Sequence, residues 1–289
     1  MSAPLFSGRV AVWARHETLR LPGRRTACGA ACGAACPAAP WAAELDGAAT
    51  AVRLGLPAEV LLPPVRAPDL AWYRWITGHQ AAFLGWRALR AALDGGAPEH
   101  DVAALVDLYS VLLLYAGSCP PALYRDRIRP RMTRWHPAFT GEWARDHRDV
   151  PGLVKRAADA SPPIRAAWRT NVRVHAAVAE RLVPQGGSLL QDAGRRAGAA
   201  PAAHEHDLYD RFFDTERTDV CPHLEAVQDA HWTLKVVSDL ESTGLRYDGP
   251  PPRAGTEVAA LEQRAADVVR EHFRAVREEG AWPVPRVSR

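Results

Sequence analysis

Two histidines in this chain sit inside apolar helical runs, far apart in sequence. His79 lies in Trp72-Tyr73-Arg74-Trp75-Ile76-Thr77-Gly78-His79-Gln80-Ala81-Ala82-Phe83-Leu84-Gly85-Trp86-Arg87. His231 lies in Val227-Gln228-Asp229-Ala230-His231-Trp232-Thr233-Leu234-Lys235-Val236-Val237-Ser238-Asp239-Leu240. An imidazole left unpaired in apolar surroundings costs roughly 1–3 kcal/mol, so each is either a satisfied core histidine or a placed site histidine. His231 shares helical spacing with Val227 and Leu234, which points it inward. As a metal ligand it would need an acceptor for its second ring nitrogen, and Asp229 or another acceptor is expected to supply it. An imidazole with an ordinary pKa of about 6.5 also suits proton transfer.

Other groups invite metal chemistry and are better read plainly. Cys28, Cys32 and Cys36 recur every fourth residue and would stack on one helical face,. The two-residue zinc spacing is absent and no fourth ligand stands nearby, so the repeat reads as low complexity. His204-Glu205-His206-Asp207-Leu208-Tyr209-Asp210-Arg211-Phe212-Phe213 gathers imidazoles and carboxylates. The two-residue histidine spacing suits a loop or strand rather than a helical metal pair, and the Phe212-Phe213 pair must bury against something. The sequence has no dinucleotide-binding glycine fingerprint, no phosphate-binding loop and no nucleophile elbow.

The elements that must position the two histidines are helices. Residues 70–93 read as one, closed by Asp94-Gly95-Gly96. Asp101 is placed to cap the next, which runs to Tyr115. Pro162-Pro163 opens a third, to Leu182, with Ile164, Ala167, Trp168, Val172, Ala176 and Ala179 on one side. Pro222 starts a fourth, to Leu240, and residues 255–278 form a last amphipathic helix. Residues 41–54 read as a helix, 191–203 as a Gly/Ala linker, and no alternating strand pattern stands out. The expected fold is all-α: an irregular, low-complexity segment over 1–40 and a single helical-bundle domain over 41–289.

Bulk composition narrows the partners. The 289 residues are 47% hydrophobic and 24% charged, with a net charge of +3, which is ordinary globular composition. Positive charge is almost all arginine, with Lys155 and Lys235 the only lysines, and no basic run argues for nucleic acid. No run of eighteen apolar residues points to a membrane span, no signal-peptide pattern opens the chain, and the odd cysteine count fits a reducing cytoplasm.

The two histidine segments together resemble a known superfamily. Trp75-Ile76-Thr77-Gly78-His79-Gln80-Ala81-Ala82-Phe83-Leu84-Gly85-Trp86 resembles the tryptophan 2,3-dioxygenase motif His-Gln-x-x-Glu-Leu-Trp-Phe-Lys, whose histidine lies on the distal side of haem. Ala230-His231-Trp232-Thr233-Leu234-Lys235 resembles that family's axial-ligand helix. Past His79-Gln80 the chain departs from the dioxygenase pattern. It is more similar to the wider histidine-ligated haem-dependent aromatic oxygenase superfamily, and within it to small bacterial tyrosine 3-hydroxylases of antibiotic biosynthesis. Tyr124-Arg125-Asp126-Arg127-Ile128-Arg129-Pro130-Arg131-Met132 and the following His136–Asp146 run carry that likeness.

The resemblance implies a helical bundle enclosing haem b. His231 would be the axial iron ligand and His79 the distal catalytic residue. Trp75, Trp232, Arg127 and Arg131 would line or anchor the cofactor, and Phe83, Trp86 and Arg129 would hold the substrate. Some relatives tether haem through a cysteine four residues past the ligand; Lys235 stands there, so the haem is expected to be non-covalent. The implied reaction is ring hydroxylation of L-tyrosine beside the phenol oxygen, giving a catechol, with peroxide or oxygen as oxidant. The rivals are an indole-ring oxygenase acting on tryptophan or a methyltryptophan, and a non-catalytic helical binding protein. Related bundles pair through long helices, so a homodimer is the expected assembly.

Overall fold

The computed structural model describes residues 17–25, 47, 63–184, 186–195, 198, 200–247 and 255–278. Helix α1 (Ala67–Asp94) carries His79 near its middle. Asp94 ends it, with Gly95 as the cap and Gly96 at φ 66°, a left-handed position that glycine adopts without a Cβ clash,. Helix α2 (Glu99–Ala116) follows, capped by Pro98 rather than Asp101. Asp101 sits instead in the first turn, where its charge still complements the positive end of the helix dipole,. The α1–α2 packing is close at Gly78, where an added Cβ would lie 2.8 Å from the Ala116 Cβ. A glycine immediately before His79 therefore lets the two backbones approach.

Residues Pro121–Trp135 form helix α3, whose turn over Tyr124–Ile128 is π-helical. Helices α4 (Val150–Ala160) and α5 (Pro162–Leu182) come next, the latter with the expected bounds. The buried face of α5 is Ile164, Ala167, Asn171, Val174 and Ala177, while Val172, Ala176 and Ala179 are exposed. The true stripe, one every three to four residues, includes the polar Asn171, which donates to Ser110 Oγ at 2.9 Å and so satisfies itself inside,.

The expected loop over 204–213 is instead helix α6 (Ala203–Phe212), started by Glu205 accepting from the Ala202 amide at 2.8 Å,. Phe212 and Phe213 are both buried, as their size requires. Helix α7 (Pro222–Thr243) carries His231. The last amphipathic helix is two, α8 (Thr256–Gln263) and α9 (Ala265–Glu278), broken at Arg264. Cys28, Cys32, Cys36 and nearly all of the helix expected over 41–54 lie outside the described residues.

The architecture is all-α apart from one small sheet. Strands β1 (Leu19–Arg25) and β2 (Thr215–Val220) pair in parallel, Leu19 opposite Thr215 and Arg25 opposite Val220, with an irregularity between Pro22 and Arg24. Strand β1 falls inside the segment expected to be irregular. Leu19 and Leu21 point into the core, fully buried. Gln228 on α7 reinforces the register: its amide accepts from the Arg20 N–H at 2.8 Å and donates to the Arg20 carbonyl at 2.7 Å. Strand β1 is thereby laid along α7. No single helix among the described residues is long and apolar enough to cross a membrane.

Two ionic networks fix the frame. Arg74, fully buried on α1, donates to both carboxylate oxygens of Asp239 on α7 at 2.8 and 2.9 Å, and Tyr115 adds a third bond to that carboxylate. Arg87 meets Glu225 and Asp146, and Arg217 meets Asp146 and Asp210. These tie α1 to α7 and hold α6 and β2 against both.

Candidate active site

His79 is fixed from its own helix. Its Nδ1 lies 2.6 Å from the Trp75 carbonyl oxygen, one turn back. A carbonyl only accepts, so Nδ1 carries the proton and Nε2 presents a lone pair. That Nε2 has no hydrogen-bond partner among the described residues. The ring packs between the Trp75 indole, at 4.5 Å, and the Phe213 ring, stacked at 4.3 Å. Burial lowers its pKa to about 4 against the opposing bond to Trp75, so the imidazole is neutral at ordinary pH,. Trp75 is buried, and its indole N–H has no hydrogen-bond partner among the described residues. Its ring also touches Tyr124, at 5.6 Å, on the π-helical turn of α3. Such turns recur at functional sites.

His231 is buried, and its partner is not Asp229. Its Nε2 lies 2.9 Å from the Glu17 carboxylate just ahead of β1, and the same oxygen meets Lys235 Nζ at 2.9 Å. Burial raises the Glu17 pKa, but the bond from His231 and the charge of Lys235 outweigh it and bring the acid down to about 2. Asp229 instead accepts from His272 on α9 at 2.8 Å and from Thr233. Residues two apart on a helix are about 200° apart around its axis, so Asp229 and His231 serve different faces.

Gln80 and Trp232, the residues that follow the two histidines, are bonded to one another. Trp232 Nε1 donates to Gln80 Oε1 at 2.8 Å, and Gln80 Nε2 donates to the carbonyls of Glu17 at 2.9 Å and Phe213 at 3.0 Å. One amide thus gathers the helix of His79, the helix of His231, the segment holding His231 and the phenylalanine stacked on His79. Glu17 escapes a motif search because its bonds reach across the chain, and Gln80, although part of the His-Gln match, is given no role by the motif.

The remaining residues singled out by sequence divide by position. Phe83, one turn past His79, is buried against Phe213 at 5.6 Å and Tyr209 at 5.9 Å. Trp86 lies two turns on, against Tyr109 at 5.5 Å and His147 at 4.7 Å. Arg129 bonds the Gly187 carbonyl and Asp192. Tyr124, next to Trp75, has its hydroxyl pKa raised by burial, with Arg129 opposing the shift. Arg129 is therefore linked to His79 through Tyr124 and Trp75. Arg131 covers the Trp72 ring at 4.3 Å, and Arg127 is exposed. His206 is buried, its Nδ1 2.6 Å from the Trp143 carbonyl. No group of histidine, cysteine and acidic side chains able to hold a metal on its own occurs among the described residues.

A neutral imidazole with a lone pair lies in ring contact with an indole whose buried N–H lacks a partner among the described residues. No curated protein matches the chain. The family model described as SfmD 3-methyl-L-tyrosine peroxygenase matches residues 7–168, more than half of the chain, including Glu17, Trp75, His79 and the arginine-rich helix. With that match laid over the His79 site, the chain belongs to the SfmD peroxygenase family and is an oxidoreductase that hydroxylates an aromatic compound with peroxide.

Proposed function

We propose that this chain hydroxylates the ring of a tyrosine-type amino acid, L-tyrosine or its 3-methyl derivative, at the carbon beside the phenol oxygen. One oxygen atom passes from hydrogen peroxide to the ring, the displaced ring hydrogen becomes the new hydroxyl proton, and water is the second product. The observation that carries the reading is the His79 environment: a neutral base with an unused lone pair, enclosed by Trp75 and Phe213. The substrate in the family's description, a methylated tyrosine, supports a phenol in that place.

The chain's residues fit a haem. Metal-ligating histidines almost always hold a carboxylate or carbonyl through their second nitrogen, and buried His231 has Glu17 for that purpose. His231 would be the iron ligand, and Arg127 and Arg131 would reach the propionates from the surface. Lys235 offers no thiol, so the group would be held without a thioether. Bound there, the haem would supply the oxidising chemistry with peroxide. Trp232, fully buried and bonded to Gln80, would keep the ligand helix in register with α1. His79 would take the phenol or peroxide proton at Nε2. Phe83 and Phe213 would wall the ring, and Arg129 would pair the amino-acid carboxylate.

The test is direct. Purified protein supplemented with haem is expected to show a Soret band that the His231→Ala protein lacks. With L-tyrosine or 3-methyl-L-tyrosine and peroxide it should yield the corresponding catechol. A protein that stays colourless after haem supplementation, or haem-loaded protein that leaves both phenols unchanged, overturns the reading.

A further inference from the structure

The indole N–H of Trp75 and the Nε2 of His79 belong to rings in contact, and each lacks a hydrogen-bond partner among the described residues. One is only a donor and the other, in the tautomer set by the Trp75 carbonyl, only an acceptor. A buried N–H without a partner is costly, and native interiors rarely keep one without a reason. A hydroxyl donates and accepts through one atom, so a single hydroxyl can satisfy both groups. An indole N–H can donate to His79 but offers no acceptor to Trp75, and a phenyl ring offers neither. We infer that Trp75 and His79 form a hydroxyl socket: the substrate phenol donates its O–H to His79 Nε2, and its oxygen accepts from Trp75 Nε1–H. Trp75 is then a specificity residue that selects phenols over indoles and plain phenyl rings. This rests on the functional reading above, because it places the phenol beside His79.

Hydrogen peroxide also carries hydroxyls, so the experiment must separate the two sources. Trp75→Phe keeps an aromatic wall and removes only the N–H. Dissociation constants for L-tyrosine and L-phenylalanine are measured on the haem-loaded wild-type and variant proteins by calorimetry, together with the KM for peroxide. A net hydrogen bond of about 1 kcal/mol corresponds to a change of roughly 5-fold. The expected result is tyrosine binding weakened roughly 3- to 10-fold, phenylalanine binding unchanged and the peroxide KM unmoved. Tyrosine and phenylalanine weakened alike would make Trp75 a wall only. A shift confined to the peroxide KM would assign the socket to the oxidant. Either result overturns the inference while leaving the peroxygenase reading intact, whereas wild-type protein that binds no tyrosine sinks both. If Trp75→Phe does not fold, the wild-type protein in a diamagnetic zinc-porphyrin form, with its ten tryptophans labelled at the indole nitrogen, gives the answer. One indole N–H resonance must move on adding tyrosine and stay in place with phenylalanine; no such resonance refutes the socket.

Discussion

The carboxylate of Glu17 stands 2.9 Å from His231 Nε2, although 214 residues separate them in sequence. The same oxygen holds Lys235, so one acid serves an imidazole and a buried ammonium one helical turn apart. Its placement follows from the parallel β1–β2 pair and from Gln228, which clamps Arg20 three residues downstream. Removing the acid takes one ionic partner from Lys235, whose side chain is 3% exposed. Glu17→Ala is expected to lower unfolding free energy by about 2–4 kcal/mol, because truncating one member of a buried ion pair is strongly destabilising. Combining it with Lys235→Met should recover much of the loss. Urea denaturation of the single and double variants measures both; additive losses would mean the two residues do not interact.

The Glu17 bond also bears on the haem site proposed at His231. A carboxylate orients a ligand imidazole and increases its basicity, so Glu17→Gln should keep the fold yet weaken haem retention. The expected change is about 10- to 100-fold in affinity, the usual effect of losing such a partner. Haem transfer to apomyoglobin measures it. Retention equal to wild type would show that His231 does not depend on Glu17.

The long helices were legible in the sequence because their apolar residues recur at helical spacing and their ends carry strong signals. The Asp94-Gly95-Gly96 stop and Pro222 at the start of the His231 helix are examples. Strand β1 was not legible: Leu19-Arg20-Leu21 alternates over only two apolar positions before Pro22 and Gly23, and its partner β2 lies far along the chain. Helix α6 was hidden by its composition. His204, Glu205, His206, Asp207 and Asp210 give it a polar texture, and it is held by Arg145, Arg195 and Arg217 from other elements. His79 and His231 stood out as apolar-embedded imidazoles. The partner of His231 did not, because local spacing favoured Asp229, which helical geometry sends to His272.

Lowered histidine pKa values give the protein a defined acid sensitivity. Burial brings His79 to about 4, with the Trp75 bond opposing it; burial, with His175 adding to it, brings His147 to about 4 as well, against an ordinary 6.5. Between pH 6.5 and 4 the unfolded chain binds protons that the native chain does not, so native stability falls as pH drops through that window and is fully retained above it. Denaturation midpoints measured from pH 8 to pH 4 should be flat above about 6.5 and decline below. His147→Gln should flatten part of the decline without touching His79. An unchanged slope in that variant would refute the assignment.

Gly78 offers the sharpest test of the packing behind His79. A methyl group there would meet Ala116 Cβ at 2.8 Å and the Tyr115 ring at 3.0 Å, both in the core of α2. Neither neighbour is the free end of a flexible side chain, so the α1–α2 separation must widen. The intrinsic helical preference of alanine over glycine, worth about 1 kcal/mol, acts in the other direction. Overpacking of a tight core contact typically costs about 1–3 kcal/mol, and the 2.8 Å approach places this one at the upper end. Gly78→Ala should therefore be destabilising by about 1–2 kcal/mol net, and the strain should be felt by the next residue, His79. Gly85→Ala is the control: its added Cβ would meet Leu112 at 3.5 Å, an ordinary contact. That variant should be neutral to stabilising, with tyrosine binding unchanged, while Gly78→Ala weakens it. Equal effects of the two substitutions on thermal midpoint and on tyrosine affinity would show that the close approach of α1 and α2 does not position His79.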